Sequence, residues 1–233
     1  MIRTVADWRA WLGPRPDGRL LVLFYLSFLC AAGFGQWLSL IPGISITLWP
    51  PNGVYIATLL LSERRTWPWW IGVAVLAELT GNVLWFHNTV PAALVYVGAN
   101  GIESVFAAFV IQRFLPVPAR LRRLDQVLAF TVFAVLIGPA IGATIGCGFD
   151  ALIGKHVFLT AWPLWWIGDA TGVLLAAPLT LVIAKIWAEP PHYTDAQWIE
   201  MGLIVLALVL VSLVTLSGRF PYAYLIMPPL LWA

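Results

Sequence analysis

The chain has 233 residues, of which 61% are hydrophobic and only 10% are charged, and its mean hydropathy is +0.88. Soluble domains average about 25% charged residues, so this composition excludes a soluble enzyme, a nucleic-acid-binding protein and a disordered tail. A membrane-spanning helix with its loop takes ~25–30 residues. The length therefore predicts an all-α, polytopic bundle of transmembrane helices. The two cysteines, Cys30 and Cys147, both lie in apolar runs and indicate no disulfide framework.

Residues 1–19 form a basic lead that contains four arginines. Its apolar residues recur at helical spacing, which indicates a short interfacial helix on the cytoplasmic leaflet, with a disordered basic lead as the alternative. The lead is long and further spans follow. The first apolar run, 20–40, is therefore predicted to be a retained membrane anchor and not a cleaved signal peptide.

Six further apolar runs follow, at 44–62, 67–86, 91–112, 127–147, 162–187 and 198–216. Pro50 and Pro51 interrupt the first of these, and a helix from Pro51 to Ser62 is only about 18 Å long, against about 30 Å for the hydrocarbon core. We expect about seven full spans with a broken second helix, and irregular backbone at 43–50 that protein or water surrounds. The run 220–233 is short and contains two prolines, so it is predicted to be a truncated eighth element of a longer protein.

Lysine and arginine are distributed unevenly between the two predicted sides of the membrane. Four lie in the lead, two in the loop 62–66, four in the loop 113–126 and one at Lys185, which places eleven on one side. Only Lys155 and Arg219 lie on the other side. Because cytoplasmic loops carry an excess of Lys and Arg, this bias predicts a cytoplasmic N-terminus and an outward-facing loop at 150–160.

Three carboxylates and three asparagines lie inside the predicted spans, where polar residues are costly and usually functional. No Lys or Arg lies at an equivalent depth, so intramembrane ion pairs do not account for the carboxylates. Spacings of four and three residues place two pairs of these side chains on common helix faces. We expect the six to line one outward-facing cavity beneath a cap of three tryptophans: Asn52, Glu78, Asn82, Asn100, Glu103 and Asp169, with Trp49, Trp165 and Trp166.

Such a cavity has two interpretations. Three carboxylates without cations favour a cationic or hydrogen-bond-donating ligand, which the indole faces of the cap would also hold. Alternatively, the polar residues form a structural staple: they hold the helices together through hydrogen bonds, with each carboxyl group protonated. The helix that starts at Pro51 directs free N–H groups and a positive dipole end into the bundle. These would bind an anion or, more economically, a carboxylate such as Glu78 or Asp169.

The sequence contains no His-Glu-x-x-His zinc motif, no Gly-x-Ser-x-Gly nucleophile elbow and no P-loop, and its three histidines lie in predicted loops. We therefore predict no catalytic residue, no metal site and no cofactor in residues 1–233. Gly138, Gly142 and Gly146 form a stripe of small residues in the fifth span, which is suited to close helix packing.

Five segments, in matching order and in matching spans, resemble motifs of the MASE1 integral membrane sensory domain. They are Trp49-Pro50-Pro51-Asn52-Gly53 with Ala57-Thr58-Leu59-Leu60; Gly81-Asn82; Asn100 with Glu103; residues 165–172 with Ala177-Pro178-Leu179; and residues 227–233. The resemblance covers the chain from about residue 20 to residue 233. One departure is Asn52, where many members carry a small residue.

The resemblance implies an N-terminal sensory domain, incomplete at residue 233, of a signalling protein in the bacterial inner membrane. A cytoplasmic output module is expected beyond residue 233, either a histidine kinase or a diguanylate cyclase or phosphodiesterase. Because such outputs work as dimers, a homodimer is expected. The other expected partners are the lipid bilayer and an unknown small ligand or membrane protein, but no nucleic acid. A secondary transporter or channel is the alternative, since broken helices and buried carboxylates also occur in transporters.

Overall fold

A computed structural model describes residues 14–37, 48–115, 121, 123–190 and 194–216. Within these residues the chain is helical and contains no strand. It divides into two units, residues 1–185 and 186–233. The helices are α1 Gly18–Trp37, α2 Pro50–Leu61, α3 Trp67–Thr80 with a π-helical continuation Gly81–Trp85, α4 Val90–Ile111, α5 Leu124–Leu152, α6 Phe158–Ala188 and, in the second unit, α7 Asp195–Leu216.

Four of these helices, α1, α4, α5 and α6, are long and apolar enough to cross a membrane. The expectation of seven full spans and a truncated eighth is therefore corrected: the described residues form seven helices, and α2 has only 12 residues. The predicted helix start at the two prolines is confirmed, since α2 begins at Pro50. Its physical cause is that Pro50 and Pro51 lack backbone N–H groups and fit only the first helical turn. The predicted lead helix, residues 43–47 and the run 220–233 lie outside the described residues.

The short helix α2 lies in the core of the first unit. Nine of its 12 residues are buried, which a helix with apolar residues on all sides requires. Tyr55 on α2 packs among Phe24, Phe28 and Trp70, with ring centroids 5.6–6.5 Å apart within this group. These aromatic contacts join α1, α2 and α3, and the Asn52 side chain of α2 contacts Asn100 of α4.

The start of α2 crosses α6 with its backbone almost in contact. A Cβ atom added to Gly172 would collide with the Trp49 carbonyl group and lie 2.8 Å from the nitrogen of Pro50. A Cβ atom added to Gly53 would lie 2.7 Å from that of Ala176. The backbone N–H of Trp49 also donates a 3.0 Å hydrogen bond to the Gly168 carbonyl. Glycine at both crossing positions therefore permits the irregular segment before α2 to pack directly on α6.

The glycine stripe of α5 is buried within the chain. A Cβ atom on Gly142 would collide with the Glu103 carboxyl group, and one on Gly146 would collide with the Trp165 ring. Gly138 lies against the side chains of Glu103 and Ala107. The stripe therefore makes room for two side chains of neighbouring helices, and it does not present a face to another molecule.

Candidate functional site: a buried polar cluster

The six polar residues expected to lie together are all buried in the first unit. Their exposed fractions range from 0% for Asn52 and Glu103 to 5% for Asn82. They come from five elements: α2, α3 and its π-helical continuation, α4 and α6. We call Asn52, Glu78, Asn82, Asn100, Glu103 and Asp169 the polar cluster.

Amide side chains connect one half of the polar cluster. The Asn52 amide nitrogen donates to the Asn100 side-chain oxygen at 3.4 Å, and the Asn100 amide nitrogen donates to the Glu78 carboxyl group. Asn82 donates to the Glu78 backbone carbonyl at 3.1 Å. Helices α2, α3 and α4 are thus joined by a chain of side-chain hydrogen bonds, which a low-dielectric interior strengthens.

Glu103 and Asp169 form the other half of the polar cluster. The indole N–H of Trp165 donates to Asp169 Oδ2 at 2.7 Å. The Glu103 carboxyl group lies beside the Asp169 carboxyl group and beside the Asn52 amide. Neither Glu103 oxygen has a hydrogen-bond partner of ordinary geometry, and the Asn52 Oδ1 atom has no partner either. Because buried polar atoms are nearly always hydrogen-bonded, these three unpaired oxygens are an exceptional feature of the site. The indole nitrogen of Trp49 and the hydroxyl of Ser104 are also buried and unpaired.

No positive group balances the three carboxyl groups within the part of the chain that the structure describes. Asp125 and Asp150 form ion pairs outside the polar cluster, and no group of three His, Cys, Asp or Glu among the described residues is arranged to hold a metal ion. The observed donors to Glu78 and Asp169 are side chains, Asn100 and Trp165. They take the place of the N–H groups at the start of α2, which we expected to bind one of these carboxylates.

Of the three predicted cap tryptophans, Trp165 contacts the polar cluster through its hydrogen bond to Asp169. Trp49 is buried at the start of α2, with its ring 5.9 Å from that of Phe86. The prediction for Trp166 is corrected: its N–H donates to the Leu136 carbonyl at 3.0 Å, and its ring stacks on Trp162. Successive helical residues point about 100° apart, so Trp165 and Trp166 cannot both face the cluster.

A second polar group, which the sequence did not indicate, lies near the start of α4 and the end of α5. The Tyr96 hydroxyl donates to Asp150 Oδ1 at 2.5 Å and accepts from Lys155 Nζ at 2.9 Å. Lys155 Nζ is also 3.9 Å from Asp150 Oδ2. The Tyr96 ring lies 5.6 Å from that of Trp165, so this group adjoins the polar cluster through one aromatic contact.

Asn88 is a further missed residue. Its side-chain amide donates to Asn82 Oδ1 at 2.9 Å, and its backbone N–H donates to the Asn82 carbonyl at the same distance. Residue 88 follows His87, whose φ of 53° is unusual for a residue other than glycine. The two asparagines around a predicted span end are the one sequence signal for this arrangement. No such signal exists for Tyr96, which lies 54 residues from Asp150.

Tyr96→Phe is expected to destabilise the protein by about 1–3 kcal/mol, because it removes the hydrogen-bond donor to Asp150 Oδ1 at a buried position and leaves Lys155 as the remaining polar neighbour of that carboxylate. Tyr25→Phe is the matched control, since its hydroxyl bonds to Thr80 at a half-buried position, and we expect a loss of about 1 kcal/mol or less. Unfolding free energies measured by denaturant titration in mixed micelles test both variants. Equal losses would contradict the assigned role of Tyr96.

Comparison with known proteins identifies the family of this chain. The MASE1 family profile matches residues 19–233. A relative, named "Probable diguanylate cyclase DgcE" of Escherichia coli (strain K12), is 24% identical over 229 residues, which cover 94% of this chain and 19% of that protein. No solved structure matches. The chain thus spans about a fifth of the length of its relative, and it belongs to the MASE1 family of membrane sensory domains.

Proposed function

We propose that this chain is the input domain of a bacterial inner-membrane signalling protein, and that the polar cluster is the element that regulates a cytoplasmic output. The observation that carries the proposal is the cluster itself: six buried polar side chains from four helices, with three unpaired acceptor oxygens. Groups with unmet hydrogen bonds are a poor choice for a purely structural staple, because each costs stability. A ligand or proton that meets them would change the packing of α2, α4 and α6 together.

The output that the comparison favours is cyclic-di-GMP synthesis, because the DgcE relative is named a diguanylate cyclase. The alternative outputs are a histidine kinase and a cyclic-di-GMP phosphodiesterase. In each case the output module would act as a dimer, so we propose that the protein is a homodimer. Mass photometry of the full-length protein in nanodiscs tests this, and a monomer would count against it.

The chemistry of the unpaired atoms defines the class of ligand. Glu103 Oε1, Glu103 Oε2 and Asn52 Oδ1 are all hydrogen-bond acceptors, and the described residues around them supply no positive charge. The polar cluster is therefore suited to a small hydrogen-bond donor or cation, and the unpaired indole N–H of Trp49 would donate to an acceptor on the same ligand. Trp49 and Trp165 would flank such a ligand with apolar and π-face surface.

We propose a cytoplasmic N-terminus, with the loop after α4 on the same side. The eleven-to-two distribution of basic residues supports this orientation. So does the contact of Arg64, between α2 and α3, with Gln112 at the end of α4, because it brings two of the basic segments together.

Cysteine labelling is expected to report this orientation. In a Cys30→Ala background, which leaves only the buried Cys147, an impermeant thiol reagent added outside should label Val157→Cys and not Arg123→Cys. Both positions are exposed, at 67% for Val157 and 73% for the Arg123 side chain, so access alone does not favour either. Labelling of Arg123→Cys from outside intact cells would contradict the proposed orientation.

A domain exchange tests the function itself. Replacing residues 19–233 of the full-length protein with an unrelated membrane anchor should preserve membrane insertion and basal output but abolish the regulation of that output. A transporter or channel would instead move a solute across proteoliposomes that contain this chain. Solute flux together with unchanged regulation after the exchange would overturn the proposal.

A further inference from the structure

A pocket lined by three arginines lies where α2 ends, α3 begins and α4 ends. It has a volume of about 550 Å³, and its lining residues are Glu63, Arg64, Arg65, Gln112 and Arg113. Gln112 and Arg113 follow the C-terminal end of α4, whereas Tyr96 of the Tyr96–Asp150–Lys155 group lies near the N-terminal end of the same helix. This end of the first unit also carries two of the basic loops that set the predicted orientation.

Hydrogen bonds fix one arginine in the wall of this pocket. Arg64 Nε donates to Gln112 Oε1 at 2.9 Å, and Arg64 Nη2 donates to the Phe109 carbonyl at 3.0 Å. Gln112 is itself held, because its amide nitrogen donates to the carbonyl groups of Leu59 and Ser62, both at 3.0 Å. The α2 and α4 helix ends therefore position Arg64, and the rest of its guanidinium N–H groups stay available, since a guanidinium has five.

Two guanidinium groups share one aromatic ring at this pocket. The Cζ atom of Arg64 lies 4.4 Å from the centroid of Phe109, and that of Arg113 lies 5.0 Å from the same centroid. Ring faces attract cations, but two like charges this close repel each other. Within the described ranges, no carboxylate forms an ion pair with Arg64, Arg65 or Arg113, although Glu63 lines the same pocket.

The site is thus a pocket of net positive charge, lined by three arginines and one carboxylate, that of Glu63. Guanidinium groups match the geometry of phosphate oxygens and bind them through paired hydrogen bonds. The pocket adjoins the buried Trp67 at the start of α3, whose ring lies 6.0 Å from Arg64 Cζ. Basic pockets between membrane helices bind acidic headgroups.

We propose that this pocket binds the phosphate of an anionic phospholipid headgroup, with Arg65 and Arg113 as the principal ligands and Arg64 as a fixed wall. The lipid's glycerol and acyl chains would continue along the apolar surfaces of α3 and α4. A bound headgroup would stabilise the junction of three helices, because it neutralises the mutual repulsion of the arginines. The proposal does not depend on which output the protein regulates.

Native mass spectrometry of the purified chain, titrated with phosphatidylglycerol in detergent, tests the proposal. The double variant Arg65→Gln/Arg113→Gln should bind phosphatidylglycerol about 10-fold or more weakly than the parent. The matched control Arg15→Gln/Arg123→Gln removes two exposed arginines outside the pocket. Its affinity for phosphatidylglycerol should stay within about 2-fold of the parent's. Phosphatidylcholine, whose headgroup is neutral overall, should bind weakly to all three proteins.

The two possible sources of phosphate are separated by competition. If millimolar inorganic phosphate displaces the lipid and shows the same dependence on Arg65 and Arg113, the ligand is a soluble phosphate and the lipid assignment is overturned. Equal weakening in both double variants, or equal binding of phosphatidylcholine, would overturn the pocket altogether. Thermal melting of each variant confirms that the binding changes occur in folded protein.

Discussion

Gly172→Ala is expected to destabilise the protein by about 1–3 kcal/mol or more, the usual cost of overpacking a close contact. A Cβ atom there would collide with the Trp49 carbonyl group, which is backbone and belongs to the segment that leads into α2. The chain before α2 would have to move away from α6, and the Trp49–Gly168 hydrogen bond would be lost with it. Because α2 lies in the core and carries Asn52, the polar cluster would be disturbed as well.

Gly101→Ala is the matched control for this substitution. Gly101 lies within α4, and an added Cβ atom would meet nothing within 4 Å. The change should be neutral or stabilising by about 0.5–1 kcal/mol, since glycine costs conformational entropy in a helix. Unfolding followed by tryptophan fluorescence in mixed micelles gives both values. Similar stabilities for the two variants would show that the crossing of α2 and α6 is not as close as described.

Asn100→Leu should produce the second large effect, a loss of about 1–3 kcal/mol. Asn100 accepts from Asn52 and donates to Glu78, so the substitution leaves two buried groups without their partners. Individual hydrogen bonds between membrane helices are typically worth about 0.6 kcal/mol and reach about 1.7, and the two lost here adjoin a carboxyl group that is only 2% exposed. The expected loss therefore lies above the average for a single bond.

Ser104→Ala provides the comparison for Asn100→Leu. Ser104 lies one turn later on α4 and is fully buried, but its hydroxyl group has no hydrogen-bond partner. Removing an unsatisfied polar group costs little and is sometimes stabilising. We expect a change within about 0.5 kcal/mol. If Ser104→Ala were as damaging as Asn100→Leu, burial alone and not the amide bridge would account for the loss.

The sequence predicted the composition of the polar cluster because a carboxylate or amide in an apolar span is conspicuous. Asn52, Glu78, Asn100, Glu103 and Asp169 each interrupt an otherwise apolar stretch, and their depths agreed. Pro50 and Pro51 likewise specified the start of α2, because proline restricts where a helix can begin. These features follow from local chemistry and need no knowledge of how the helices pack.

The remaining features depend on tertiary contacts that local patterns do not encode. In the sequence, nothing distinguishes Tyr96 and Asp150 from other polar residues near the end of a span. Only the packing of α4 against α5 brings them together. Trp165 and Trp166 are adjacent in the chain, and the sequence predicts the same role for both. Because successive helical residues point in different directions, Trp165 contacts Asp169 and Trp166 contacts Leu136. The π-helical segments Gly81–Trp85 and Thr131–Ile137 left no recognisable pattern in the sequence.

The regulated output of the full-length protein with Glu103→Gln and with Asp169→Asn tests the central claim most directly. Both changes keep the size of the side chain and its capacity for hydrogen bonding, but they remove the charge that a carboxyl group can carry. If the polar cluster controls signalling, both variants will insert and fold like the parent, and their output will no longer respond to the stimulus or to pH. If both variants fold and signal like the parent at every pH tested, the cluster is a structural staple and the proposed function of this site is wrong.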